Sequence, residues 1–282
     1  MASSPVHPRL GCSTITFRHL PLATALERIV ELGFAEIDLG ALPGVCDHVP
    51  MPLGAQQVRH CADTVRDSGL AVRAINADVG ALNAPERSQD ELSAKLEPIV
   101  ELADTLRAST VLLPAGALDR EPLSERHTDV RRLADALQLA QRRCADAGIE
   151  LLVEAPHYYR LCHDLTTTAE LLNALDGTDV ATVLDVSHVV AAGGDPGEAV
   201  ELMGARLRHV HLRDAVPGDI NRSLGRGRVD FVKLIRRLNE SGYDGHFSLE
   251  LETHDITDDQ RPAETAKAAH WISTLLNTQE YA

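Results

Sequence analysis

Short apolar, β-branched runs alternate along the chain with longer stretches of helical period. The runs begin near Leu10, Ala35, Ala71, Thr110, Glu150, Val180, Leu207 and Phe247, and each predicts a strand. Between them, apolar residues recur three and four positions apart. Leu22, Leu26, Ile29 and Val30 form one stripe, ended by Gly33. Val130, Leu133, Leu137, Ala140 and Cys144 form another, ended by Gly148; Phe231, Leu234, Ile235 and Leu238 form a third, ended by Gly242. Glycine there suits the left-handed residue that closes many helices. Leu92, Leu96, Ile99, Val100 and Leu106 fit a further helix. Pro98 is expected to kink or restart it, because proline lacks the amide hydrogen and crowds the preceding turn.

Eight strand–helix pairs of this kind fill the 282 residues with nothing left over. Strands alternating with helices pair in parallel through right-handed crossovers. Eight units in this length predict an α/β protein with a closed (β/α)8 TIM barrel rather than an open sheet. No Pro-, Ser- or Gly-rich tract divides the chain, so residues 1–282 read as a single barrel domain. In such a barrel, functional groups gather where strands end and βα loops converge.

Strand five runs through Leu151-Leu152-Val153 into Glu154, with Ala155-Pro156-His157 behind it. Strand six runs into Asp185, followed by Val186-Ser187-His188. Strand seven carries His209-Val210-His211 and then Leu212-Arg213-Asp214, and strand eight reaches Glu250-Leu251-Glu252. An apolar run cannot bury such groups alone, because desolvating an unpaired charge is prohibitive. Singly, each reads as a salt-bridged or rim residue. Four on successive strands read as a metal site. Three carboxylates and an imidazole are a hard, oxygen-rich set, suited to Mn²⁺, Mg²⁺ or Co²⁺ more than to a closed zinc site.

Glu252 competes with Glu250 for the last place, since period-2 alternation points both the same way. His209 stands in that relation to His211 and reads as a hydrogen-bonded barrel histidine one layer deeper. Asn76 closes strand three as a substrate contact or a turn residue, and Tyr158 and Tyr159 fit a pocket mouth or ordinary loop packing. The segment Gly225-Arg-Gly-Arg-Val-Asp230 lacks the third glycine of a dinucleotide fingerprint. It reads as a βα loop whose Arg226 or Arg228 meets a phosphate or a carboxylate.

Composition narrows the partners. Lys and Arg number 27 against 42 Asp and Glu, a net charge of −15 that stays negative even with all 13 histidines protonated. Such a surface repels phosphate backbones and anionic lipid, and four Phe, four Tyr and one Trp leave little for base stacking. Neither a nucleic-acid nor a membrane partner is expected. Five cysteines, an odd number without Cys-x-x-Cys spacing, read as free thiols. Met1 to Arg9 shows no basic segment followed by an apolar one, and no run approaches the roughly 20 residues that span a bilayer. A cytoplasmic location is expected.

The strand ends carry a family resemblance. Val153-Glu154-Ala-Pro-His157, Leu184-Asp185-Val-Ser-His188, His209-Val-His211-Leu-Arg-Asp214, Leu224-Gly-Arg-Gly-Arg-Val-Asp-Phe231, and Gly242-Tyr-Asp-Gly245 with Glu250 resemble the xylose isomerase-like TIM-barrel superfamily. Leu10-Gly-Cys-Ser-Thr14 and Gly33-Phe-Ala-Glu-Ile-Asp38 resemble its opening unit. Within it the chain is similar to the sugar phosphate isomerase/epimerase group, which includes ketose 3-epimerases, inosose isomerases and dehydratases, and dehydroshikimate dehydratases.

The resemblance implies a divalent metal held by Glu154, Asp185, His211 and Glu250, with Mn²⁺ foremost and Mg²⁺, Co²⁺ or Zn²⁺ as alternatives. It favours Glu250 over Glu252, makes Glu154 and Glu250 the acid/base pair, and sets His188 against the substrate. His157, Arg213 and Asn76 are expected as further substrate contacts, and a homo-oligomer is compatible with the group. Arg213 stands where the group usually has Lys, and Pro217 where ketose 3-epimerases carry a substrate-binding Arg. Strands two and three lack the histidines that a related trinuclear-zinc nuclease would need.

The expected chemistry is proton abstraction beside a carbonyl, giving isomerisation or epimerisation of a small-molecule sugar, keto-sugar or cyclitol through an enediolate. Loss of a β-hydroxyl from the same carbanion would make a dehydratase or lyase. A non-catalytic barrel with a structural metal is the remaining reading.

Overall fold

The apolar runs become strands that close on one another. In chain order these are β1 (Leu10–Ser13), β2 (Glu36–Ala41), β3 (Ala71–Ala77), β4 (Thr110–Pro114), β5 (Glu150–Glu154), β6 (Ala181–Asp185) and β7 (Leu207–Leu212). A short hairpin, β8 (Asp214–Val216) and β9 (Asp219–Arg222), precedes the last barrel strand, β10 (His246–Leu249). The structure is a computed structural model and describes residues 5–279; Met1 to Ser4 of the N-terminal stretch lie outside them, as do residues 280–282.

The barrel closes in the order β1-β10-β7-β6-β5-β4-β3-β2, every neighbour parallel. It is a (β/α)8 TIM barrel. Its outer helices are α1 (Leu22–Glu31), α2 (Ala55–Ser68), α3 (Gln89–Leu106), α4 (Arg126–Ala145), α5 (Leu165–Ala174), α6 (Val186–Ala191), α7 (Pro196–Met203), α8 (Phe231–Glu240) and α9 (Arg261–Gln279). Among the described residues no helix is long and apolar enough to cross a membrane.

Two local expectations are corrected. Val30 is 45% exposed: α1 buries Ala25, Leu26 and Ile29, and the next residue is turned about 100° away from them. Pro98 does not restart its helix. α3 runs unbroken from a Ser88–Glu91 capping box and buries Leu92 and Leu96 before the proline and Ile99, Leu102 and Ala103 after it. That packing outweighs the roughly 3 kcal/mol cost of an interior proline. Two features are additional to a plain eightfold repeat. The crossover after β6 is split into α6 and α7, and the β8–β9 hairpin is inserted after β7.

The main core lies between the strands and the helices. Inside the barrel, Ala74, Leu112, Leu152, Ala181 and Val183 form a separate small plug. At the amino ends of the strands a polar cluster seals the base: Arg73 Nη2 donates to Glu36 Oε2 at 2.7 Å, and Glu36 Oε1 lies 2.8 Å from His246 Nδ1. The barrel is thus filled from below and left polar at its carboxyl end.

Candidate metal centre and active site

Glu154 and Asp185 are the last residues of β5 and β6; His211 lies on β7, and Glu250 follows β10 directly. These strands are neighbours in the barrel, and register pairs Asp185 with His211 and His211 with Ser248. The four side chains are buried, and one ligand atom from each lies within 4.8 Å of the others. Asp185 also caps α6, accepting from Ser187 N at 2.8 Å, so strand and helix meet with no slack.

Asp38, near the middle of β2, supports this set from below. Its Oδ2 lies 2.8 Å from His209 Nε2 and 3.2 Å from His211 Nε2. That contact places a proton on His211 Nε2, and Nδ1 faces Glu250 Oε2 at 3.2 Å without hydrogen-bond geometry. Burial works upward on the Asp38 carboxyl, but the two imidazoles outweigh it and hold it well below the usual range. Burial works downward on His211, and Glu250 and Asp38 more than reverse it.

Arg213 is the built-in positive charge. Its Nη2 is 2.5 Å from Asp185 Oδ2, its Nε donates to Ser187 Oγ at 3.1 Å, and its Nη1 reaches Asn221 Oδ1 at 3.3 Å. The two glutamates titrate apart. Burial, reinforced by Glu250 and Asp185, pushes Glu154 up to about 8. Burial works upward on Glu250 too, but His211 and Arg213 hold it low.

His188 accepts from Tyr158 N at Nδ1, 2.9 Å away, which leaves its Nε2 as the donor, 3.7 Å from both Glu154 Oε1 and Asp185 Oδ2. Burial depresses it to about 4, with Arg213 and His211 adding to the effect, so it is neutral at pH 7. His157 stacks on it with ring centroids 4.0 Å apart, and Asn76 Nδ2 donates to Glu250 Oε1 at 3.3 Å. Asn76, Glu154, His157, His188, Arg213 and Glu250 all line one cavity of about 940 Å³.

The structure therefore brings together every residue singled out for the metal, the acid/base pair and the substrate. Glu252 stands apart from the four-residue cluster, its Oε1 paired with Arg18 at 2.7 Å. The glycine-rich loop meets a carboxylate inside the chain: the amides of Gly225, Gly227 and Val229 converge on Asp214 at 2.8–3.0 Å, and Arg226 pairs with Asp255. Sequence reasoning missed Asp38 as a partner of the histidines. Its signal was the one used elsewhere, a carboxylate set in an apolar run, Ile37-Asp38-Leu39.

This fold and cluster define a class. The chain belongs to the xylose isomerase-like TIM barrel family, which matches residues 26–275. An inosose dehydratase of Lacticaseibacillus casei is 24% identical over 227 residues, covering 70% of this chain and 71% of that protein. Among solved structures, an L-ribulose 3-epimerase has a TM-score of 0.76 at 18% identity, covering 97% of this chain and 96% of that one. The IOLI protein with a bound zinc atom has a TM-score of 0.75 at 18% identity, covering 96% and 98%.

Proposed function

We propose that the chain is a divalent-metal-dependent isomerase or epimerase of a sugar, keto-sugar or cyclitol, with Glu154 and Glu250 as its acid/base pair. The observation that carries this reading is the convergence of Glu154, Asp185, His211 and Glu250 within 4.8 Å beside an open cavity. The donor set fits a divalent cation. Three buried carboxylates and a buried imidazole turn their ligand atoms to one point, and His211 Nδ1 faces the carboxylates without a hydrogen-bond partner. Mn²⁺ is the first expectation for so oxygen-rich a set, with Mg²⁺, Co²⁺ and Zn²⁺ as alternatives. Bound there, the ion would supply Lewis-acid polarisation of a substrate carbonyl.

The chain's own groups handle the proton. Glu250, held ionised, accepts it from the carbon beside the carbonyl. Glu154, on the neighbouring side of the cluster, returns one to the enediolate. Return on the opposite face epimerises, and return at the neighbouring carbon isomerises. Neutral His188 offers its Nε2–H to a substrate oxygen, its tautomer fixed by the Tyr158 amide. A second reading, dehydration, gives Glu154 a departing β-hydroxyl to protonate and is supported by the inosose dehydratase relative. The five free thiols are all buried, in keeping with a reducing cytoplasm.

Incubation of metal-loaded protein with ketoses, inososes and dehydroshikimate in D₂O tests both readings by NMR. Deuterium beside the carbonyl without loss of water supports isomerisation or epimerisation; loss of water supports dehydration. Glu154→Gln and Glu250→Gln each lower turnover by about 100-fold or more. Wild-type turnover in both variants would remove the carboxylate pair from the mechanism.

A further inference from the structure

The catalytic cavity has two unlike parts. Its floor is polar and charged, as described above. Its mouth adds large apolar side chains beside the exposed Asp119 and Glu121: Val45, Leu118 and Tyr159, from the loops after β2, β4 and β5, line it and are 42%, 70% and 42% exposed. Exposed large apolar side chains are few among the described residues; apart from these three they are Val30, Leu123 and Val232. Half of them therefore line one cavity, where apolar side chains supply contact area for a ligand.

Size points the same way. A cavity of about 940 Å³ lies near the top of the roughly 300–1,000 Å³ range that encloses drug-sized ligands. A single sugar ring against the acid/base pair leaves much of it unfilled. The mouth is also rigidly built. The Arg120 guanidinium lies 3.7 Å over the Tyr158 ring while its Nε donates to Tyr158 O, and Tyr158 meets Tyr159 edge to face at 5.0 Å. An aromatic face held in this way offers contact area at little entropic cost.

Charge excludes an anionic tail. Six carboxylates line the cavity against three guanidinium groups, and each of those three is already engaged. Arg120 is on Tyr158 O, Arg160 is on Asp78 Oδ2 and Gly116 O, and Arg213 is on Asp185 and Ser187. Among the described residues that line the cavity, no guanidinium remains free to take a phosphate.

We infer that the substrate is an uncharged glycoside-like molecule, with a polyhydroxylated head on the catalytic floor and a planar apolar substituent against Tyr159, Leu118 and Val45. This rests on the proposed reaction for the head and adds the second group.

Titration calorimetry of the metal-loaded protein with methyl β-glucoside, phenyl β-glucoside and glucose 6-phosphate tests it. The phenyl glucoside binds at least about tenfold more tightly than the methyl glucoside, and glucose 6-phosphate binds most weakly. In the Tyr159→Ala/Leu118→Ser double variant the phenyl-to-methyl ratio falls towards one. Both positions are exposed, so folding is retained, which circular dichroism confirms. Equal binding of the two glucosides, no binding of the phenyl glucoside, preference for the phosphate, or an unchanged ratio in the variant overturns the inference. Sedimentation showing a wild-type dimer that Leu118→Ser dissolves would assign the rim to a second copy and overturn it too. Deuterium exchange into free keto-sugars alongside a flat glucoside ratio defeats this inference alone; a steep ratio without any exchange defeats the reaction and leaves the two-part cavity standing.

Discussion

Asp38 meets two imidazoles through a single oxygen, and this fixes which nitrogen of His211 is left to face the carboxylates. Carboxylate partners of this kind orient metal-binding histidines, and their loss typically costs about 10–100-fold in metal affinity. Asp38→Asn is expected to weaken Mn²⁺ binding by that factor in calorimetric titration while keeping the far-ultraviolet spectrum of the wild type. Wild-type affinity in the variant would leave Asp38 as packing only. The carboxylates and imidazole of the cluster were legible in the sequence because each closes an apolar run that cannot bury it alone. The roles of Asp38 and Arg213 were less so. Asp38 meets its partners 171 and 173 positions away, and Arg213 reaches Asp185 across 28, so each pairing exists only once the barrel is closed.

The loop from β4 to α4 supplies Leu118 and Arg120 to the cavity, and one buried carboxylate anchors it. Asp129, fully buried in the first turn of α4, accepts from Leu123 N at 2.7 Å, Asn83 Nδ2 at 2.8 Å and Ser124 Oγ at 2.5 Å. Asn83 in turn accepts from Ala117 N through its Oδ1 at 2.8 Å. Asp129→Ala leaves these donors unpaired and is expected to lower stability by about 2 kcal/mol at pH 7. Burial works upward on this carboxyl, but Ser124, Asn83 and Leu123 hold it below its ordinary value. The unfolded chain therefore takes up the proton first, and the stabilisation is full at neutral pH and is lost as pH falls below about 4. Urea unfolding at pH 7 and pH 3.5 checks this: the gap between wild type and variant narrows at the lower pH, and a constant gap would assign it to packing. The sequence showed the strand and helix periods well, since tertiary burial imposes them. It did not show the β8–β9 hairpin, whose strands are three and four residues long, or the wrapping of Gly225 to Val229 around Asp214, which depends on backbone amides rather than side-chain pattern.

At the scale of the whole molecule, a small part of the −15 charge is concentrated at the open end of the barrel, opposite the Glu36–Arg73–His246 seal. A cation bound among Glu154, Asp185 and Glu250 relieves that concentration, and binding to the native state alone stabilises it by mass action. Exhaustive chelation is expected to lower the melting temperature and abolish turnover, and re-addition of Mn²⁺ restores both. At a hundredfold excess over the dissociation constant the gain is about 2.7 kcal/mol. An unchanged melting temperature after verified metal removal would argue against the site. The closure of the barrel bears on how this protein comes into being. Its proposed ligands stand at positions 154, 185, 211 and 250, and β10, the strand that delivers the last of them, is also the one that closes the barrel, between β7 and β1. A chain still under synthesis lacks the complete set of proposed donors until β10 has emerged, so capture of the proposed metal would wait for that strand. A product cut short before that strand would carry seven-eighths of the barrel and be unable to compete for the ion.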